Sequence, residues 1–305
     1  MGSRTSPYLQ EKLALLGSLT VFNQVPELLE KLLGIQVNQS QTYRVCQTLS
    51  MALDTDQLSR PSPQLARQQA QPEALIYGMV DGSMLLTDQG WQETKLGRVF
   101  AAQSSLTDSK RPLIESSEYV AYRGHYSGFT PDFQRLLPPQ SLAKKVFITD
   151  GAEWIGRWLS DTYPAATHIL DYFHVVEKLA QAAKELPKSR AKAWLRTQQE
   201  HLLNDQSEEV ETNVSSLAHL SVNERTKLGN YLSSNRHRMR YGSYRQAGLL
   251  IGSGPIEAAH RTVLQVRMKR SGQRWVNQGC DNMVRLRVAY KSDKFHLVSD
   301  LLKIH

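Results

Sequence analysis

The chain has 305 residues, 40% of them apolar, with 37 Lys and Arg against 29 Asp and Glu for a net charge of +8. That length suffices for one large or two modest domains with ample core, and no run approaches the roughly 18 apolar residues of a membrane span. Two cysteines, Cys46 and Cys280, are too few for a disulfide framework or a four-cysteine zinc site and lie in otherwise apolar helical patterns.

The first residues, "MGSRTSPYLQEKL", contain no apolar run, so no secretory signal is expected. Met1-Gly2 with Ser6 meets the short myristoylation pattern, but nothing else points to a membrane, and a cytoplasmic protein is expected. Residues 1–55 are expected to be helical: "PYLQEKLALLG" and "VPELLEKLLG" carry Leu at helical spacing, with Gly17 and Gly34 as stops. Ser40 can cap a third helix, "QTYRVCQTLSMAL". Helix, turn and helix at this spacing fit a helix-turn-helix DNA reader, in which Ser40 to Arg44 would choose sequence, and equally a plain three-helix bundle. Residues 56–73, rich in Gln, Pro and Ser, are expected to form a linker with some helix.

The pattern changes at Ala74. "ALIYGMV" is expected as a strand ending at Asp81-Gly82, "SMLLT" as a second and "KLGRVFAA" as a third, an antiparallel meander. In "SGFTPDFQRLL", Thr130 fits an N-cap and Pro131 the first helical turn. "VFIT" then runs into Asp150-Gly151, and Trp154, Ile155, Trp158 and Leu159 recur at helical spacing before "HILDYF". Strand, helix and strand in this order predict a parallel crossover and a mixed α/β fold. Residues 175–250 read as polar helices.

Two strands that each close on a carboxylate can set Asp81 and Asp150 side by side. Like charges so close raise one another's pKa unless a cation sits between them, and magnesium takes carboxylate oxygens while keeping several waters. Helix capping is the alternative for Asp150, though not for Asp81, which precedes no helical pattern. A third acid, Glu257, follows "GSGP" at a first helical turn, where the helix dipole alone also favours an acid. Between Arg225 and Lys291 there are eleven Arg and three Lys against only Glu257 and Asp281. Such clustering is an electrostatic footprint for a polyanion, most often nucleic acid. Arg236, Arg238 and Arg240 on one side of Glu257, and Arg267, Lys269, Arg270 and Arg274 on the other, are candidates for gripping phosphates or else are solvated helix faces.

Three stretches carry a family resemblance: "YGMVDGSMLL…GWQETKLGRVF", "VFITDGAEWIGRWLSDTYPAATHILDYFHVVEKL" and "GSGPIEAAHRTVLQVRMKRSGQRW". In this order they resemble conserved blocks of bacterial insertion-sequence transposases of the ISKra type, and the resemblance runs from residue 7 to about residue 291. It implies an RNase H-like core in two parts, 74–174 and 251–305, with a helical insertion at 175–250. It further implies a catalytic triad on Asp81, Asp150 and Glu257 that holds two magnesium (or manganese) ions, and cutting and joining of double-stranded DNA at element ends and target. A homo-oligomer in the DNA complex and a place at the bacterial nucleoid follow in the same way. Members often carry a cysteine-rich zinc-binding segment upstream, and none lies within these 305 residues. Asp171 and His174 fall inside the second block and are possible accessory groups, as is Trp91 for stacking on an unpaired base. A His next to aromatics, as His174 is, is more often a satisfied structural group, core packing is at least as good a reading for Trp91 and Trp275, and Glu153 is better read as a first-turn helix acid. A related nuclease, or an inactive DNA-binding descendant of a transposase, are the rival functions.

Overall fold

The computed structural model describes residues 5–71, 74–102, 114–139 and 143–303, apart from the side chain of Glu115; Met1 and Gly2 lie outside these. Three N-terminal helices, α1 (Pro7–Leu19), α2 (Val25–Leu33) and α3 (Gln39–Ala52), lead the chain. Gly34 ends α2 in the left-handed conformation (φ 65°), as its composition predicts. Gly17 does not end α1; it lies inside it, where an added Cβ would come within 2.5 Å of Cys46 Sγ. The cap of α3 is Asn38, whose side chain accepts from the Gln41 amide, and not Ser40.

The expected linker is packed. It contains α4 (Thr55–Leu58) and α5 (Pro63–Gln69); Leu65 is fully buried and Gln69 donates to the Leu136 carbonyl at 2.8 Å.

A five-stranded mixed sheet follows, with order β3-β2-β1-β4-β5. The expected break at Asp81-Gly82 does not occur: β1 (Leu75–Thr87) runs unbroken and pairs antiparallel along its whole length with β2 (Gly90–Ala102). Gly82 stays in the ladder because β2 supplies every partner on that edge. β3 (Ile114–Arg123) pairs antiparallel with β2. α6 (Tyr126–Leu136) begins a turn earlier than Thr130-Pro131 suggests, capped by His125, so Pro131 sits inside the helix. The burial of Phe129, Phe133 and Leu136 offsets the lost backbone bond. Gly97 lets the Phe133 ring lie against the sheet, since an added Cβ would come within 2.3 Å of it, and Gly78 makes room in the same way for the Phe147 ring, at 2.6 Å. β4 (Lys144–Thr149), α7 (Glu153–Thr162) and β5 (Thr167–Leu170) form the predicted crossover, with β4 parallel to both β1 and β5.

The polar stretch that follows is helical as expected: α8 (Tyr172–Ala182), α9 (Lys188–Leu203), α10 (Ser207–Ser215), α11 (Val222–Asn235), a 3-10 turn at Arg236–Arg238, and α12 (Tyr241–Gln246). The chain then returns to the sheet through α13 (Gly254–Ala259), a π-helical turn (His260–Gln265) and α14 (Val266–Met268), and closes with α15 (Asn277–Lys291) and α16 (His296–Lys303).

Strand alternation sorts the core into two layers. Ile76, Val80, Val99 and Phe147 pack with α5, α6 and α7 on one face. Tyr77, Met79, Leu96, Val146 and Ile148 face the other way, into a cluster shared with α13, α15 and the N-terminal helices. The N-terminal helices are therefore not a module hung on a tether. Buried Arg267 donates to Gly17 O at 2.9 Å and Arg287 to Ser18 O at 2.9 Å, both at the C-terminal end of α1 where the helix dipole favours cations. Among the described residues no helix is long and apolar enough to cross a membrane.

Candidate active site

On β1, Tyr77, Met79 and Leu85 belong to the core that α13 covers, so Asp81, two residues on from Met79, interrupts an apolar row on that same face. On β4, Val146 and Ile148 occupy the equivalent row, and Asp150 follows two residues later. Met79 is the ladder partner of Ile148, so the same register carried two residues onward brings Asp81 and Asp150 abreast. α13 crosses this face and carries Glu257, exposed, in its first turn.

The three acids line one cleft of about 180 Å³, together with Asp171, Glu177, His174 and Ser253. Among the described residues no Lys or Arg lines it. In a chain of net charge +8, a pocket with five carboxylates and no fixed cation is a place where a mobile cation is favoured.

Each acid is held differently. Asp81 Oδ1 accepts from the Gly82 amide at 2.7 Å, and Oδ2 lies 3.1 Å from Nε2 of buried His260. The contact lies off the ring N–H direction, so it is an electrostatic approach rather than a straight hydrogen bond. Burial pushes the Asp81 carboxyl upward, but His260, the Gly82 amide and the more distant His174 outweigh it and hold it below its usual range. Asp150 is not the cap of α7. Its Oδ1 accepts from the Ala152 amide at 3.0 Å in a turn before the helix, and the N-cap position belongs to Ala152, with no side-chain cap. Gly151 makes that turn at φ 88°. From α11, the Tyr231 hydroxyl donates to Asp150 O at 3.3 Å; burial and then the Asp150 charge push its ionisation upward.

Asp171 is buried and already satisfied. It accepts from the Phe173 amide (3.1 Å), the Ser253 amide (3.1 Å) and the Ser253 hydroxyl (2.6 Å), the last of which also stands 3.1 Å from Glu257 Oε1. It caps α8 and ties the end of β5 to the turn that launches α13. His174 borders the cleft with its Nδ1 3.9 Å from Glu177 Oε2. Trp91 is 61% exposed at the β1–β2 hairpin, whereas Trp275 is buried and donates from Nε1 to Met268 O. Glu153 is in the first turn of α7, paired with Arg157.

Among the described residues no three His, Cys, Asp or Glu side chains already surround a single point. Magnesium does not require that: it is commonly held by one or two carboxylates, with waters and substrate phosphates filling the shell. Asp81, Asp150 and Glu257 supply hard oxygen donors of that kind.

The basic candidates divide. Arg240, Lys269, Arg270 and Arg274 are exposed, with Arg274 also donating to Thr87 O and Asp88 O. Arg236 is exposed but forked onto Glu208 and Glu211. Arg238 and Arg267 are placed inside, contrary to the expectation of a phosphate grip. Arg238 is 8% exposed, with Nη1 3.2 Å from His168 Nε2; Arg267 is fully buried between the Phe22 and Trp275 rings. Both follow the helical burial pattern, which their charge obscures in the sequence.

Sequence reasoning missed Ser253, His260 and Tyr231. Ser253 and His260 both stand inside a quoted motif, but Ser253 reads there as part of a flexible loop, and His260 falls on the buried face of Ile256, Ala259 and Val263, where a histidine reads as packing.

Residues 140–297, just over half of the chain, match the model of the uncharacterised protein family UPF0236. A curated relative, the "UPF0236 protein in vanSb 3'region" of Streptococcus gallolyticus, is 23% identical over 320 aligned positions. The match covers 96% of this chain but only 65% of the relative's length. The matched region holds β4, Asp150, the helices α8–α12, Glu257 and the π-turn, and by it the chain belongs to family UPF0236.

Proposed function

We propose that this chain is a DDE-type transposase that cuts and joins DNA phosphodiester bonds at the ends of an insertion sequence. The observation that carries the reading is the placement of Asp81 and Asp150 abreast on one face of the sheet, under the helix that bears Glu257, in a cleft that, among the described residues, has five carboxylates and no Lys or Arg. Strand order β3-β2-β1-β4-β5, antiparallel then parallel, supports an RNase H-like core, with α8–α12 as the insertion before the last acid. Asp81, Asp150 and Glu257 would hold two magnesium or manganese ions. Bound there, the ions would supply Lewis-acid stabilisation to the attacking and leaving oxygens of an in-line displacement.

The chain's own residues do the rest by position. Asp81, kept ionised, and Asp150, fixed by the Ala152 amide, present oxygens from rigid strand ends. Asp171 and Ser253 fix the start of α13 and so the place of Glu257. Arg240, Lys269, Arg270 and Arg274 are exposed and suited to hold the DNA backbone, while α3, with Ser40, Tyr43 and Arg44 exposed, is the element suited to choose sequence.

The test is cleavage and strand transfer by the full chain on DNA carrying the repeats that flank its gene. With magnesium or manganese both products are expected. Calcium is expected to support binding without cutting, because its looser shell does not impose octahedral geometry. Asp81→Ala and Asp150→Ala are expected to abolish cleavage while gel-shift binding survives. Retained cleavage in either variant sinks the triad, and products made by hydrolysis without any joining favour a nuclease.

A further inference from the structure

His260 is a buried histidine that packing alone does not explain. It is 5% exposed, and among the described residues neither ring nitrogen has a hydrogen-bond partner of good geometry. A buried polar group in that state costs free energy and calls for a reason. Its one polar approach is Nε2 to Asp81 Oδ2, at 3.1 Å.

The backbone that carries His260 is equally unusual. The helix bearing Glu257 changes at His260 into a π-helical turn that runs to Gln265 before reverting at Val266. Such turns are rare and frequently fall at functional sites. The loosened carbonyls are met from another helix: buried Arg287 of α15 donates Nε to Val263 O at 2.8 Å and Nη2 to Thr262 O. Arg287 is 2% exposed and spends its remaining fork on Ser18 O. A buried cation is thus spent on keeping the turn open.

We propose that His260 is a positioning residue for Asp81, aimed by the Arg287-propped π-turn so that the carboxylate keeps one orientation towards the cleft. The inference rests on the reading of Asp81 as a metal-holding acid. Asp81 Oδ1 accepts from the Gly82 amide and Oδ2 lies against His260 Nε2, so each carboxylate oxygen has a contact on the protein side while Asp81 lines the cleft. Groups that orient a ligating carboxylate in this way are worth about 10- to 100-fold in metal affinity. The same turn joins the first and last acids of the site. His260 touches the strand acid, and Glu257, three residues earlier on the same helix, faces the same cleft.

The test is manganese affinity of the full chain without DNA, by calorimetry, beside a thermal melt of each variant. His260→Leu keeps bulk but has no polar atom, and should weaken manganese at least 10-fold. His260→Gln retains an N–H of similar reach and should stay within about 3-fold of the parent. His260→Asn is too short to reach Oδ2 and gives the Leu result should the Leu variant fail to melt cooperatively. Wild-type affinity in the Leu and Asn variants overturns the inference and leaves the site reading intact. Equal loss in the Leu and Gln variants overturns it too, by reducing His260 to packing. A parent chain whose manganese binding is absent, or indifferent to Asp81→Asn, overturns the site reading and the inference together.

Discussion

Ser253 and Asp171 are joined twice: the Ser253 amide donates to Oδ1 at 3.1 Å and its hydroxyl to Oδ2 at 2.6 Å. A residue beyond the end of β5 thereby anchors the turn from which α13 starts, while the same hydroxyl stands 3.1 Å from Glu257. The geometry of the last acid depends on a buried carboxylate that needs no cation of its own.

Asp171→Ala removes the acceptor of three donors at a buried site. Charge-assisted bonds of this kind contribute about 1.5–3 kcal/mol each and are not additive, so a total loss of roughly 3–5 kcal/mol is expected in denaturant unfolding. Ser253→Ala leaves the amide bond in place and should cost about 1–2 kcal/mol. An Asp171→Ala chain as stable as the parent would show that the tie contributes nothing to the fold.

The sheet and its acids were legible because their signals are local. Apolar strands at "ALIYGMV" and "VFIT", each followed by Asp-Gly, gave the neighbouring pair Asp81 and Asp150, and the crossover through α7 followed from alternating strand and helix periods. The unbroken course of β1 through Asp81-Gly82 was not legible, because the strand is held by partners on β2 and not by its own propensity. Arg238 and Arg267 misled for a related reason. A charged residue reads as surface, yet Arg267 is enclosed by two aromatic rings and by a helix end contributed from 250 residues away in sequence. His260 was silent because it continues the buried face of Ile256, Ala259 and Val263, where a histidine reads as packing.

Acid should weaken the fold through His168. Burial first, and then the Arg238 and His237 charges, lower this imidazole from 6.5 to about 3. The ring sits 2.9 Å from Thr149 Oγ1 and beside Arg238, so protonation would set two cations together. The folded pKa is depressed below the unfolded one. Above about pH 6.5 neither state holds the proton and His168 contributes no pH dependence. As pH falls from about 6.5 towards 3, only the unfolded chain takes it up, and stability drops by up to about 1.4 kcal/mol per pH unit. His168→Gln should remove that component, giving a shallower decline of denaturation midpoint over this window. An identical decline in the variant would assign the acid sensitivity to other groups.

DNA affinity should separate the basic residues by where they lie. Arg240, Lys269 and Arg270 are exposed, whereas Arg238 and Arg267 are inside, so charge alone does not decide which of them meet phosphates. Each phosphate neutralised on duplex DNA adds about −0.9 to the slope of log affinity against log salt. Replacing Arg240, Lys269 and Arg270 together by Ala should flatten that slope by nearly three units and weaken specific and random DNA alike. Arg267→Ala should leave the slope unchanged and lower the melting temperature. It removes the bond to Gly17 O and the contacts with the Phe22 and Trp275 rings, and it opens a cavity between α1 and the helix that carries Glu257. Arg238→Ala should behave in the same way, through the loss of packing against His168. The two classes are read on the same preparations, by salt titration and by thermal melt. An unchanged slope in the triple variant would place those three side chains in solvent and move the DNA path elsewhere on the surface. A flattened slope with a wild-type melt in Arg267→Ala would mean that this guanidinium reaches phosphate after all.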